Sequence, residues 1–147
     1  MPTTIDSAGI TFNDATSLTS ANIGTAQLVN GSVIASKLGT TEQKQIAKAW
    51  VNFNGTLATP ITPRASYNVS SVTKNGTGDY TVNFTTPMAD ANYSSVITGR
   101  KPLDGMSANL PSFYNIALNS GNVRVASVIT GNNGSDSDTM SVQIFGN

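Results

Sequence analysis

Five carboxylates lie between Trp50 and Asn147, namely Asp79, Asp90, Asp104, Asp136 and Asp138, and that stretch contains no Glu. Two carboxyl groups at a separation of about 5–10 Å are what glycoside hydrolysis requires, so that chemistry stays open to the chain in principle. Little else does. The sequence has no His and no Cys, which removes a Ser-His-Asp triad, a thiolate nucleophile, Cys-ligated zinc and the commonest general base. Asp136 and Asp138 fall in Asn132-Asn133-Gly134-Ser135-Asp136-Ser137-Asp138, an oxygen-rich run of the kind that can hold a hard cation. Its spacing departs from the EF-hand pattern, and Asn, Gly, Ser and Asp are also ordinary hairpin residues. The plain turn is the reading adopted. No catalytic residue, metal or cofactor is expected, and Asp79, which follows a turn, is expected to support that turn.

Sugar binding asks for less: exposed rings for stacking, and amides, carboxylates or guanidinium groups for hydroxyls. Tyr93, Tyr114, Arg100 and Asn132 are of the right types and sit at or near loops, where function concentrates. Strand patterning would bury both tyrosines in a core, and Arg100-Lys101 before Pro102 reads most simply as a solvated loop. The receptor-facing candidates are Arg100, Tyr114, Asn132 and Asp136.

Composition narrows the partners. Eight Lys+Arg balance eight Asp+Glu, and only 11% of residues are charged, against about 25% in ordinary domains. The basic residues are scattered, with Arg100-Lys101 the longest run. Nucleic-acid affinity depends on clustered cations that release counterions, so neither nucleic acid nor an anionic membrane is an expected partner. No apolar run approaches the roughly 20 residues of a membrane helix, and Met1 to Asp6 lacks the charged and apolar regions of a signal peptide. Synthesis in the cytoplasm, with no classical export signal, is expected. Ser, Thr, Asn and Gly replace the missing charges and favour strands and turns over helix.

The elements that must position these groups follow from local patterns. Thr40 to Trp50 reads as a short helix, with Thr40 and Gln43 forming a capping box and Ile46, Ala49 and Trp50 sharing one face. It would form a collar around Ile46 and Trp50, or else Trp50 is buried in the core of the following domain. From Trp50 onward the period becomes two. Trp50 to Phe53 opens the domain, and Tyr67 to Val69 alternates until Val72 falls out of phase, which predicts a bulge at Ser70-Ser71. Asn75-Gly76-Thr77-Gly78 supplies a turn. Asp79 to Thr85 is the clearest strand, with Tyr80, Val82 and Phe84 on one face. Tyr93–Thr98, Phe113–Leu118, Val123–Ile129 and Met140–Phe145 follow. About seven short strands predict an antiparallel β-sandwich.

The first forty residues obey another rule. Leu18, Ile23, Leu28, Val33 and Leu38 recur at a spacing of five, which matches neither the helical nor the strand period. A single chain cannot cover such residues, and exposure costs on the order of 1.5–3 kcal/mol for each large side chain. Several chains about one axis would stack them in layers. A three-fold axis is preferred for a fibre, although the spacing also admits a two-fold one; an unfolded linker with incidental spacing is the other reading. The expected architecture is therefore mainly β, with an extended trimeric shaft over 1–40, a helix or collar over 41–49 and a β-sandwich head over 50–147.

Two regions, 9–38 and 47–98, resemble a known family. Gly9-Ile10-Thr11-Phe12-Asn13-Asp14-Ala15-Thr16 is similar to an opening motif of phage tail proteins, with Ala15 where Gly is usual, and Ala26 to Leu38 resembles the repeats of phage fibre shafts. Ala47 to Thr56, Ser66 to Val72 and Asn75 to Phe84 resemble the head segment near the C-terminus of many bacteriophage tail-fibre proteins. The resemblance implies a non-enzymatic virion appendage of tail or neck, usually trimeric and concerned with host attachment. Its implied partners are its own copies, other virion proteins of baseplate, tail or neck, and a host-surface glycan or protein. Variable, target-facing loops are expected in the last fifty residues. A stand-alone carbohydrate-binding module and a depolymerase fragment are the alternatives.

Overall fold

The computed structural model describes residues 4–6, 9–11, 17–18, 33–34, 37–101 and 111–146. The chain divides into two compact units, Met1–Gly39 and Thr40–Asn147. In the first, β1 (Thr4–Asp6), β2 (Gly9–Thr11) and β3 (Ser17–Leu18) form a three-stranded antiparallel sheet in that order. Leu18 pairs with Ile10 across β3 and β2. Of the other residues in the five-residue series, Val33 is exposed and Leu38 half-buried, while Ile23 and Leu28 lie outside the described residues.

The second unit is mainly β, with one short helix. It begins with α1 (Thr40–Gln45), none of whose residues is buried, and continues with β4 (Ala47–Phe53), β5 (Ala65–Tyr67), β6 (Val69–Gly76), β7 (Asp79–Phe84), β8 (Ser94–Arg100), β9 (Ser112–Asn119), β10 (Asn122–Ile129), β11 (Asn133–Gly134) and β12 (Thr139–Phe145). Two antiparallel sheets result. One has the order β5-β4-β12-β8; in the other, β10 pairs with β9 and also with β7 and β11, and β7 pairs in turn with β6.

Both sheets feed one core. Ala49, Val51 and Phe53 of β4 and Met140, Val142 and Ile144 of β12 come from the first sheet; Val72, Tyr80, Val82, Phe84, Val123 and Val125 come from the second. All lie at alternating positions, as the pleat requires when one face of each sheet is buried. The expected inward face of Tyr80, Val82 and Phe84 is present, and the register slips between Val69 and Ser71, where the phase break predicted a bulge.

The helix is shorter than its pattern implied. It stops at Gln45, and Ala47 to Trp50 belong to β4. A helix through Trp50 would put Ala49 and Trp50 on the same face. The strand sends Ala49 inward and Trp50 outward, aligns Val51 and Phe53 with Ala49, and pairs the whole segment with β12. Three buried apolar side chains plus a hydrogen-bonded ladder outweigh about one and a half further turns of a helix with no buried face. The helical collar built on Ile46 and Trp50 is thereby replaced: Ile46 is an exposed residue between α1 and β4, and Trp50 is an outward strand residue rather than a core one.

What reads as one strand around Tyr67 to Val69 is two, in different sheets. The switch occurs at Asn68, whose φ is +54°, a left-handed conformation that Asn tolerates better than most residues. Its side chain holds both sheets. Nδ2 donates to the carbonyls of Lys48 in β4 (3.1 Å) and Thr86 just after β7 (3.0 Å), and Oδ1 accepts the Thr86 N–H at 2.7 Å. Asn68→Ala is expected to lower the unfolding free energy by about 2–3 kcal/mol, through lost hydrogen bonds and backbone strain together. Asn68→Gly should cost less, because glycine adopts positive φ freely. Urea denaturation of the two variants reads the difference, and equal losses would mean that the backbone conformation contributes nothing.

Candidate functional site

The outward faces of the two sheets differ in kind. On the second sheet, Asp79, Thr81 and Asn83 of β7 and Ser71 and Thr73 of β6 point away from the core, and they bond to one another. Asn83 Nδ2 donates to Ser71 Oγ at 3.0 Å, and Asn75 Nδ2 donates to Asp79 Oδ1 at 3.1 Å and Thr81 Oγ1 at 2.9 Å. Arg124 of β10 grips Asp79 through Nε at 2.9 Å and through an Nη2–Oδ2 contact. The guanidinium holds the Asp79 carboxyl below the usual carboxylate range. On β6, β7 and β10 this face satisfies itself, and its exposed apolar side chains, Tyr114 and Ile116, stand on the edge strand β9.

The outward face of the first sheet is built differently. Tyr67 of β5, Trp50 of β4, Gln143 of β12 and Val96 of β8 lie directly opposite one another in register and so form one cross-strand row. Trp50 is 39% exposed and Tyr67 59%. The next row, Ala65, Asn52, Ser141 and Thr98, follows the same register. Neither row contains a charged residue. Asn52 Nδ2 donates to Ser141 Oγ at 2.8 Å and fixes that second row. At the end of the sheet Arg100 pairs with Asp138 through Nη2–Oδ2 at 2.6 Å, and Arg64 Nη2 donates to the Asp138 carbonyl at 2.7 Å. The Asp138 carboxyl is lowered, first by the hydrogen bond from Arg100.

The Asn132–Asp138 run turns inward. After a 3-10 turn at Thr130–Asn132 and the two residues of β11, Ser135 and Ser137 are buried, with Ser137 Oγ 3.0 Å from Ser127 Oγ. Asp136 reaches between elements: Oδ1 accepts the Gly78 N–H at 2.8 Å and the Tyr80 hydroxyl at 2.7 Å, and Oδ2 meets Lys74 Nζ at 2.5 Å. Lys74 Nζ also donates to the Gly55 carbonyl at 3.1 Å. Gly55 is required there, because a Cβ would stand 2.5 Å from the Tyr80 hydroxyl. Burial pushes the Asp136 carboxyl up, but the hydrogen bonds from Lys74, Gly78 and Tyr80 outweigh it and leave the group lowered. Burial and the neighbouring carboxylate drive the Tyr80 phenol well above its ordinary value.

The receptor-facing candidates are therefore not one site. Asp136 is half-buried, and its carboxylate is taken up by Lys74, Gly78 and Tyr80. Arg100 is tied to Asp138 rather than simply solvated. Asn132 is exposed in the turn at φ +58°, and Tyr114 stands on β9 at 46% exposure. Tyr93 is buried as its strand pattern implied, with its hydroxyl on the carbonyls of Asn119 and Asn122, but Tyr114 is not. A register slip at Arg124/Val125 across β9 and β10 shifts the phase of that edge strand. Asp104 lies outside the described residues, and among those described no group of three or more His, Cys, Asp or Glu is placed to hold a metal. Sequence reasoning passed over Tyr67, because its partnership with Trp50 depends on a register joining residues on either side of a proline-containing loop. Comparison with protein-family models, curated proteins and solved structures found no match.

The lowered carboxyls fix a pH dependence. A carboxyl whose folded pKa is depressed contributes stability above its unfolded value, about 4, and that stability is lost as pH falls through the folded one. Unfolding free energy should be flat from neutrality to about pH 5 and then decline. Asp136→Ala should destabilise the protein by about 2–3 kcal/mol at neutral pH, since it strands Lys74 and Tyr80, and should make the acid decline shallower. Thermal melts across this range check both, and an unchanged acid slope would show that Asp136 is not a main contributor.

Proposed function

We propose that the chain is a non-enzymatic virion fibre protein of a bacteriophage, working as a homotrimer. Its N-terminal segment anchors to tail, neck or baseplate proteins and carries the shaft, and its β-sandwich head meets the host surface. The observation that carries this reading is the five-residue apolar series, which ends at Leu38, immediately before the compact unit that opens at Thr40. Val33, a described member of that series, is 54% exposed in the single chain. An axial layer of three copies would remove such side chains from water, each worth on the order of 1.5–3 kcal/mol when fully buried. The family resemblance of residues 9–38 and 47–98 points the same way. So does the low charge, which suits neither nucleic acid nor an anionic membrane.

A second reading, a monomeric carbohydrate-binding module, draws support from the exposed Trp50–Tyr67 pair. Light scattering separates the two. A particle of three times the chain mass of 15.2 kDa supports the fibre, and a monomer overturns it and leaves the module. Leu28→Asp, which places a charge in an axial layer, should weaken assembly at least tenfold in sedimentation equilibrium, about 1.4 kcal/mol or more. An unchanged trimer would show that the spacing does not mark an axis.

A further inference from the structure

We propose that the outward face of the β5-β4-β12-β8 sheet, centred on Trp50 and Tyr67, is a binding platform for an uncharged hexose glycan. This rests on the reading of the second unit as an attachment head and names the ligand class that such a head would take.

The geometry supplies two aromatic side chains directly opposite each other on neighbouring strands, with Cβ atoms about 5 Å apart by the spacing of registered pairs. The strands fix them, since Ala49 and Val51 on either side of Trp50 are buried in the core. One face of a pyranose ring is a layer of C–H groups that packs on an aromatic ring, while its hydroxyls seek amides and hydroxyls in the ring plane. Gln143 stands beside Trp50 in the same row, and Asn52, Ser141 and Thr98 form the next. An ionised sugar would need a cation at the centre of the platform, and the two central rows contain none. The charges of this face lie at its margins, Lys48 beyond Trp50 on β4 and the paired Arg100 and Asp138 at the other end, so an uncharged glycan matches the two central rows.

Area decides between a glycan and a sister chain. At about 200 Å² per aromatic side chain, the exposed parts of Trp50 and Tyr67 total about 200 Å². A stable protein interface needs about 800 Å² from each partner, with an apolar centre. Val96, 46% exposed in the same row, adds to this area, while the other outward neighbours, Ser94, Thr98, Ser141 and Gln143, are polar. The patch has the size of a small ligand rather than a subunit.

The chain has a single Trp, so its intrinsic emission reports on this platform alone. The full-length protein would be titrated with linear glucan, galactan and mannan oligosaccharides, with polygalacturonate oligosaccharides as the anionic comparison. The expected result is an emission change with at least one neutral series, weakened at least tenfold in Tyr67→Ala and at least threefold in Gln143→Ala, with both variants retaining the native circular dichroism. Millimolar neutral glycans without effect, a response to the anionic series alone, or undiminished affinity in both variants would overturn it. Dissociation of a trimer by Tyr67→Ala would also overturn it, by making the face a subunit contact. Light scattering on the same samples keeps the two readings apart: a trimer that ignores every glycan sinks the platform and spares the fibre, and a monomer that binds one does the reverse.

Discussion

The phase of β4 is the constraint from which the rest of the second unit follows. Ala49, Val51 and Phe53 must face the core together, and in a pleated strand this forces Trp50 and Asn52 to the other side. A slip of one residue would bury the indole and an amide and expose a Phe and a Val. The two neighbours of β4 are then set in turn. Pairing with β12 places Met140, Val142 and Ile144 in the same layer, and pairing with β5 sets Tyr67 opposite Trp50. The outward Trp50 is therefore a consequence of core packing, and Tyr67 joins it through the β4–β5 ladder, on an edge strand whose three residues are all exposed.

Two polar devices fasten the sheets at opposite ends of the chain's path. Asn68 takes the strain of a left-handed residue so that the chain can leave one sheet and enter the other, and its amide ties Lys48 to Thr86. Asp136 fastens the final loop to Gly78, Tyr80 and Lys74, while Lys74 reaches the Gly55 carbonyl behind β4. With no disulfide available, a domain of this size draws its specificity from such satisfied polar contacts as well as from its core. None of the buried side-chain polar atoms among the described residues lacks a partner. This accounts for why the Asn132–Asp138 run, so open-looking as a string of Asn, Gly, Ser and Asp, commits its half-buried central carboxylate to contacts with Lys74, Gly78 and Tyr80.

Much of the sheet structure was legible because alternation is local. The strands from Asp79 onward fall within one or two residues of where the period placed them, and the bulge near Ser70 was visible as a broken phase. Failures came where a long-range partner decided the outcome. The pattern Ile46, Ala49, Trp50 is a sound helical face, and only the presence of β12 alongside turns the segment into a strand. Tyr114 alternates as a buried residue should, and only the slipped register between β9 and β10 brings it out. Asp136 and Lys74 are 62 residues apart, a pairing that no spacing rule reveals. The platform was half legible: Trp50 stood out, but as a collar residue, and Tyr67 did not.

The contrast between the two outward faces carries the functional argument furthest. Both are solvent-facing sides of antiparallel sheets in one unit, so hydration alone asks the same of each. Over β6, β7 and β10 the second sheet answers with side chains that satisfy one another, including the bidentate grip of Arg124 on Asp79, and its exposed Tyr114 and Ile116 are confined to the edge strand β9. The β5-β4-β12-β8 face leaves its largest ring in water beside a second ring and a glutamine. A lone exposed apolar residue needs no explanation, but two aromatics placed side by side by strand register retain apolar area that a Thr or Ser at either position would remove at no cost to the core. That retained area makes sense if something apolar on one side and hydroxylated at its rim lies on it.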